Sequence, residues 1–196
     1  MASHSLMKWN SVRRRELDEL LEAHRCFRVG PRVATDQLNF AYLVAIAAQF
    51  QGFCRDLHSE AVKFFSDATG PTLSQIVWTT FSKSRRLDQG NANAGSIAED
   101  FGRIGMKDFW PEVARKGGAV RTKARLRRIE QMNMWRNAIA HSNFEQYLNQ
   151  LDKLDGVLHP RLAEASTCRV AVNALTIQIS EAVAKHLARV VGSVPW

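Results

Sequence analysis

The chain has 196 residues, 45% of them apolar, with a mean hydropathy of -0.25, ordinary values for one globular domain able to bury a core without staples. Its apolar runs are broken by Gln, Arg or Asp well short of about 18 residues, and no apolar region follows the basic start MASHSLMKWNSVRRR, so neither a membrane span nor a secretory signal is expected and a cytoplasmic location is. Lys and Arg number 27 against 19 acids; a net charge of +8 favours polyanionic partners.

Ser11 is placed to cap a first helix running to about Arg28 and closed by Gly30-Pro31. A second helix is expected from Asp36 to about Phe65, because Leu43, Ile46, Phe50, Phe53, Leu57, Ala61 and Phe64 recur at threes and fours. Thr69-Gly70-Pro71 ends it and opens a shorter helix to about Ser82. Residues 84–108 are rich in Gly and Asn and read as a long connection with one short helix near Ser96 to Gly102, of the kind that is often functional or mobile. After a short turn, Gly117-Gly118 precedes a helix over Ala119 to Ala140. A last one follows His159-Pro160, Pro160 near its first turn, with Val172, Leu175, Ile179, Val183, Leu187 and Val190 on one stripe. No segment alternates with period two. The expected class is all-α, an up-and-down bundle of four to five helices forming a single domain over 1–196, its core at about 10–191.

Most familiar chemistry is missing. There is no glycine-rich phosphate loop, no HExxH and no Ser/His/Asp signature; Ala94-Gly95-Ser96 lacks the strand and paired carboxylates of a nucleotidyltransferase start. Cys26, Cys54 and Cys168 show no ligand spacing and read as reduced thiols packed as small hydrophobes. His4, His24, His58, His159 and His186 share no metal-ligand spacing and read as surface or capping residues, so no metal or cofactor is expected.

One stretch stands apart. In Trp135-Arg-Asn-Ala-Ile-Ala-His-Ser-Asn-Phe144, Arg136 takes a place in the apolar stripe of Ile129, Met132 and Ile139. Five residues turn an ideal helix through about 140°, so Arg136 and His141 converge only if the helix ends near His141 and the chain turns there. Asn137 and His141, four apart, share a face. Arginine brings a rigid fork of donors suited to phosphate, and histidine exchanges a proton near neutral pH. Upstream, Arg121, Lys123, Arg125 and Arg128 form a cationic track toward Arg136, with Arg121, Arg125 and Arg128 on one face. The track suits a nucleic-acid strand, though a solvated basic face with a structural Arg–carboxylate pair explains the same residues.

Arg136-Asn-Ala-Ile-Ala-His141 resembles the Arg-x4-6-His signature of HEPN domains, in the form with Asn directly after Arg. The position on a late helix with one long helix after it agrees, and Ala47-Ala-Gln-Phe-Gln-Gly-Phe-Cys-Arg-Asp-Leu57 is similar to the second long helix of stand-alone, ribonuclease-like members. The likeness departs at Gln51, where members often carry an acid, at Ser142, often glycine, and at Asn143, where toxins regulated by tyrosine adenylylation have Tyr. The resemblance implies a HEPN-like fold and metal-independent cleavage of RNA in a toxin or anti-phage defence effector. His141 would be the general base or acid, Arg136 would stabilise the phosphoryl charge, and Asn137 would orient either. It further implies a homodimer through the motif face and a possible antitoxin or regulatory protein as partner. The alternative is a non-catalytic HEPN-like module binding RNA or protein. For the dimer, Met132, Trp135 and Ile139 suit an interface core, or else pack only against the chain's own last helix.

Overall fold

The computed structural model describes residues 2–26 and 32–196, and among these the protein is all-α, with nine α-helices and no strand. The chain opens with α1 (His4–Lys8), a π-helical turn over Trp9–Arg13, and α2 (Arg14–Cys26), one helical run. Ser3, not Ser11, caps it: the Ser3 hydroxyl accepts from the Leu6 N–H at 3.1 Å, while the Ser11 hydroxyl donates inside the helix to the Met7 carbonyl at 2.9 Å. The core therefore begins before residue 10, since Leu6 and Trp9 belong to it. Trp9 meets the Phe53 ring edge-on at 5.9 Å and donates its indole N–H to Asn173. The expected close at Gly30-Pro31 lies outside the described residues.

The bundle is built on two long helices, α3 (Arg32–Ala68) and α9 (Leu162–Val191), which pack along one another. At about 1.5 Å per residue, the 37 residues of α3 span about 55 Å, longer than the Asp36–Phe65 expectation. Its stripe Leu43, Ile46, Phe50, Phe53, Leu57 and Ala61 is wholly buried against Val172, Leu175, Ile179, Val183 and Leu187 of α9 and their neighbours; Val190 lies past the core and is exposed. Removing one such phenylalanine to alanine would cost about 3–5 kcal/mol. Pro160 stands outside α9, whose first turn is closed by Glu164 accepting from the Arg161 N–H at 2.8 Å. Between them, α4 (Pro71–Ser82) returns along α3, and α8 (Ala119–Ala140) lies against both α3 and α9.

Residues 84–117 are not a loose connection. They form α5 (Arg86–Gln89), α6 (Ala94–Arg103) and α7 (Phe109–Gly117), so the helix count exceeds the four to five expected. The buried Asp100 carboxylate accepts the N–H groups of Arg86 and Leu87, both at 2.9 Å, and so caps α5. Leu87, Ile97, Phe101, Phe109 and Val113 are buried, with Phe101 stacked on Phe109 at 4.9 Å.

Three histidines expected at the surface are buried: His24, His58 and His186. Backbone carbonyls hold two of them, Asp100 facing His58 at 3.1 Å and Ile104 facing His186 at 2.9 Å. Burial, reinforced by Arg85, lowers the His58 pKa to about 4, so it packs as a neutral ring. Cys54 and Cys168 are buried thiols, Cys168 pushed up to about 12 by desolvation, whereas Cys26 is exposed. Among the described residues no helix is long and apolar enough to cross a membrane.

Candidate functional site

Gly118, at φ +77, separates α7 from α8, a backbone turn that a side chain would strain. The middle of α8 is covered on every side, with Gln131 through Trp135 all buried. Helices α3 and α9 account for one flank. Residues 145–157 account for another: they begin with a 3-10 turn (Glu145–Gln150) and return along the helix. The Trp135 indole N–H donates to the Val157 carbonyl at 3.0 Å and the Gln131 amide to the Lys153 carbonyl at 2.7 Å. Ile129, Met132 and Trp135 are thereby buried inside their own chain, which removes Met132 and Trp135 from any interface core.

At its end the helix closes by a Schellman motif. The Ser142 N–H reaches the Ile139 carbonyl at 3.2 Å, the Asn143 N–H reaches Ala138 at 2.9 Å, and Ser142 itself sits at φ +50. The helix thus ends where expected, with His141 as its C-cap and the His141 N–H bonded to the Asn137 carbonyl at 3.0 Å. That bond keeps His141 one turn beyond Asn137. No hydrogen bond joins the side chains of Arg136 and His141. Beyond the turn, Phe144 packs with Phe40 of α3 and with His159, at ring separations of 5.4 and 4.4 Å.

Arg136 is half-buried and forms no ion pair among the described residues. Its Nη1 donates to Oδ1 of Asn137 at 3.3 Å, and the same oxygen accepts from Nδ2 of Asn91 at 2.8 Å. With both donors on its oxygen, Asn137 is oriented and its Nδ2 is left without a partner among the described residues. Asn91 is held in turn. The Asn133 amide donates to the Ala92 carbonyl at 3.1 Å, and Gln51 of α3 donates to the carbonyls of Leu87 and Gly90 at 2.8 and 2.7 Å. A carboxylate at position 51 would donate to neither.

The cationic track divides. Arg121 and Lys123 are exposed and without ion-pair partners among the described residues, and Arg125 is half-buried beside Gly117. Arg128 is occupied: it reaches Asp155 at 2.6 Å and Gln131 at 2.6 Å, while Arg127 takes the other Asp155 oxygen. For Arg128 the structural Arg–carboxylate pair is the arrangement present.

A groove of about 860 Å³ runs beside the site between α8, the 91–95 segment and residues 152–153, with Asn137 at one end and Lys123 at the other. No three or more His, Cys, Asp or Glu among the described residues are grouped to hold a metal ion. Compared with family models, with curated proteins and with solved structures, the chain matches none.

Proposed function

We propose that the protein is a metal-independent endoribonuclease of HEPN type, acting as a toxin or defence effector. The observation that carries this reading is Arg136: a half-buried guanidinium with no carboxylate partner among the described residues, braced against an asparagine whose amide donors remain free. Together these present a donor set for phosphoryl oxygens beside a groove whose far end carries Lys123. RNA carries its own nucleophile in the 2′-OH. Its attack on the adjacent phosphorus expels the 5′-oxygen, and His141 takes the proton of the one or supplies that of the other.

The active species pairs two chains at the C-terminal end of α8. One chain offers a single titrating group, whereas 2′-OH attack calls for a base and an acid, and a two-fold axis beside His141 brings a second imidazole and a second guanidinium. The apolar support for this pairing rests on Ile139 and its neighbours, since Met132 and Trp135 face inward. The second reading, a non-catalytic RNA-binding module, is favoured by His141: its exposed side chain has no hydrogen-bond partner among the described residues to orient it. Incubating RNA with the wild type, Arg136→Ala and His141→Ala separates the two. Loss of cleavage in both variants, with unchanged circular dichroism, supports the ribonuclease; binding without cleavage in all three supports the module.

A further inference from the structure

The groove beside the site has a lining of mixed charge. Its floor is apolar, through Leu126 and Met134. Asn93 and Asn133 bring amides to it, and two carboxylates, Glu130 and Asp152, face the same space. Glu130 has no ion-pair or hydrogen-bond partner among the described residues, although seven basic residues lie between Arg115 and Arg128 on the segment leading to it. Lys123, Arg127 and Lys153 line it too, but Asp155 engages Arg127, so a phosphate entering this space would find the two remaining cations offset by two carboxylates. A flat, neutral, hydrogen-bonding group would meet an apolar floor, amide donors and carboxylate acceptors. At about 860 Å³ the groove falls within the size range of small-ligand sites.

We propose that the groove is a nucleobase subsite that takes one unpaired base carrying an exocyclic amine, with the amine donating to Glu130. This rests on the ribonuclease reading only for the position of the scissile phosphate, which lies at Arg136 next to the Asn137 end of the groove. Carboxylates are suited to accept from the N4 amine of cytosine, and asparagine amides to pair with base edges. In duplex RNA that amine lies in a major groove too deep and narrow for side chains to read, so the subsite selects single-stranded RNA. Lys123, exposed at the far end, is placed for the strand's next phosphates.

Cytidine and uridine are the discriminating probes: they place an amine and a carbonyl, respectively, at position 4. Titrated into the isotope-labelled protein and followed by NMR, cytidine is expected to shift the Asn93 side-chain amide and the Glu130 backbone amide. Its affinity should exceed that of uridine by about threefold to tenfold, a single exposed contact of this type. Glu130→Gln, an exposed substitution, should bring the two nucleosides within about twofold. Equal affinities in the wild type, shifts elsewhere on the surface, or a preference that survives Glu130→Gln would overturn the subsite. Because nucleosides contain no phosphate, this result is independent of cleavage. A protein that binds cytidine in the groove but never cuts RNA would refute the ribonuclease and keep the subsite; cutting without nucleoside discrimination would do the reverse.

Discussion

Asn91 donates its side-chain amide to Oδ1 of Asn137 at 2.8 Å, joining the segment between α5 and α6 to the residue beside Arg136. That contact decides which end of the Asn137 amide faces outward. Asn91→Ala should leave the fold unchanged and lower cleavage by about tenfold to a hundredfold, the scale of a misplaced positioning contact. Asn91→Asp should do at least as much, because a carboxylate beside Oδ1 repels it and favours the flipped amide. Rates with RNA and circular dichroism of both variants check this; wild-type rates in Asn91→Asp would assign the contact to packing alone.

The division of the basic track predicts unequal roles. Arg121→Gln and Lys123→Gln should each lower the salt dependence of RNA binding by about 0.7 in the log–log slope, as for one lost phosphate contact on a single strand. Arg128→Gln should move the slope less, because Asp155 already engages its guanidinium. Filter binding across a salt series measures all three, and equal slopes for Arg128→Gln and Arg121→Gln would contradict the division.

His58 gives the fold an acid limit. Its folded pKa of about 4 lies below the usual value near 6.5, so the native state binds fewer protons than the unfolded one between these values. Stability contributed by this group is therefore complete above about pH 6.5 and falls as pH drops toward 4, by on the order of 3 kcal/mol. His58→Gln keeps a donor for the Asp100 carbonyl but cannot titrate. Urea midpoints at pH 7 and 4.5 should differ less in this variant than in the wild type; an unchanged difference would exclude His58 as the cause.

Ser142 stands at φ +50 in the position of a Schellman cap where glycine carries no Cβ penalty. Ser142→Gly should raise stability by about 1 kcal/mol, read as a higher urea midpoint with unchanged slope. A lower midpoint would show that the serine side chain compensates for its backbone.

The long helices were legible because their apolar residues recur without interruption: the α3 stripe from Leu43 to Ala61 is buried as its spacing requires, and α8 spans the expected Ala119 to Ala140. Residues 84–117 were not, because their order comes from single long-range contacts rather than from a period. Asp100 caps a helix that begins 14 residues earlier, and Gln51 holds a loop 36 to 39 residues away. Asn91 carried no signal beyond a Gly- and Asn-rich stretch, since the oxygen it serves is 46 residues distant. The buried histidines were hidden for the same reason: the carbonyls that satisfy His58 and His186 come from elements far along the chain. Arg136, Asn137 and His141 were visible as residue types. The Schellman close around Ser142, and the Asn91 contact that orients Asn137, are properties that spacing does not show.

The most direct test is the chemistry of the cut ends, with the purified protein incubated with RNA in excess EDTA. Attack by the 2′-OH predicts fragments ending in a 2′,3′-cyclic phosphate and beginning with a 5′-OH, at undiminished rate and absent in His141→Ala. Fragments ending in a 3′-OH, or activity lost in EDTA, would contradict the account.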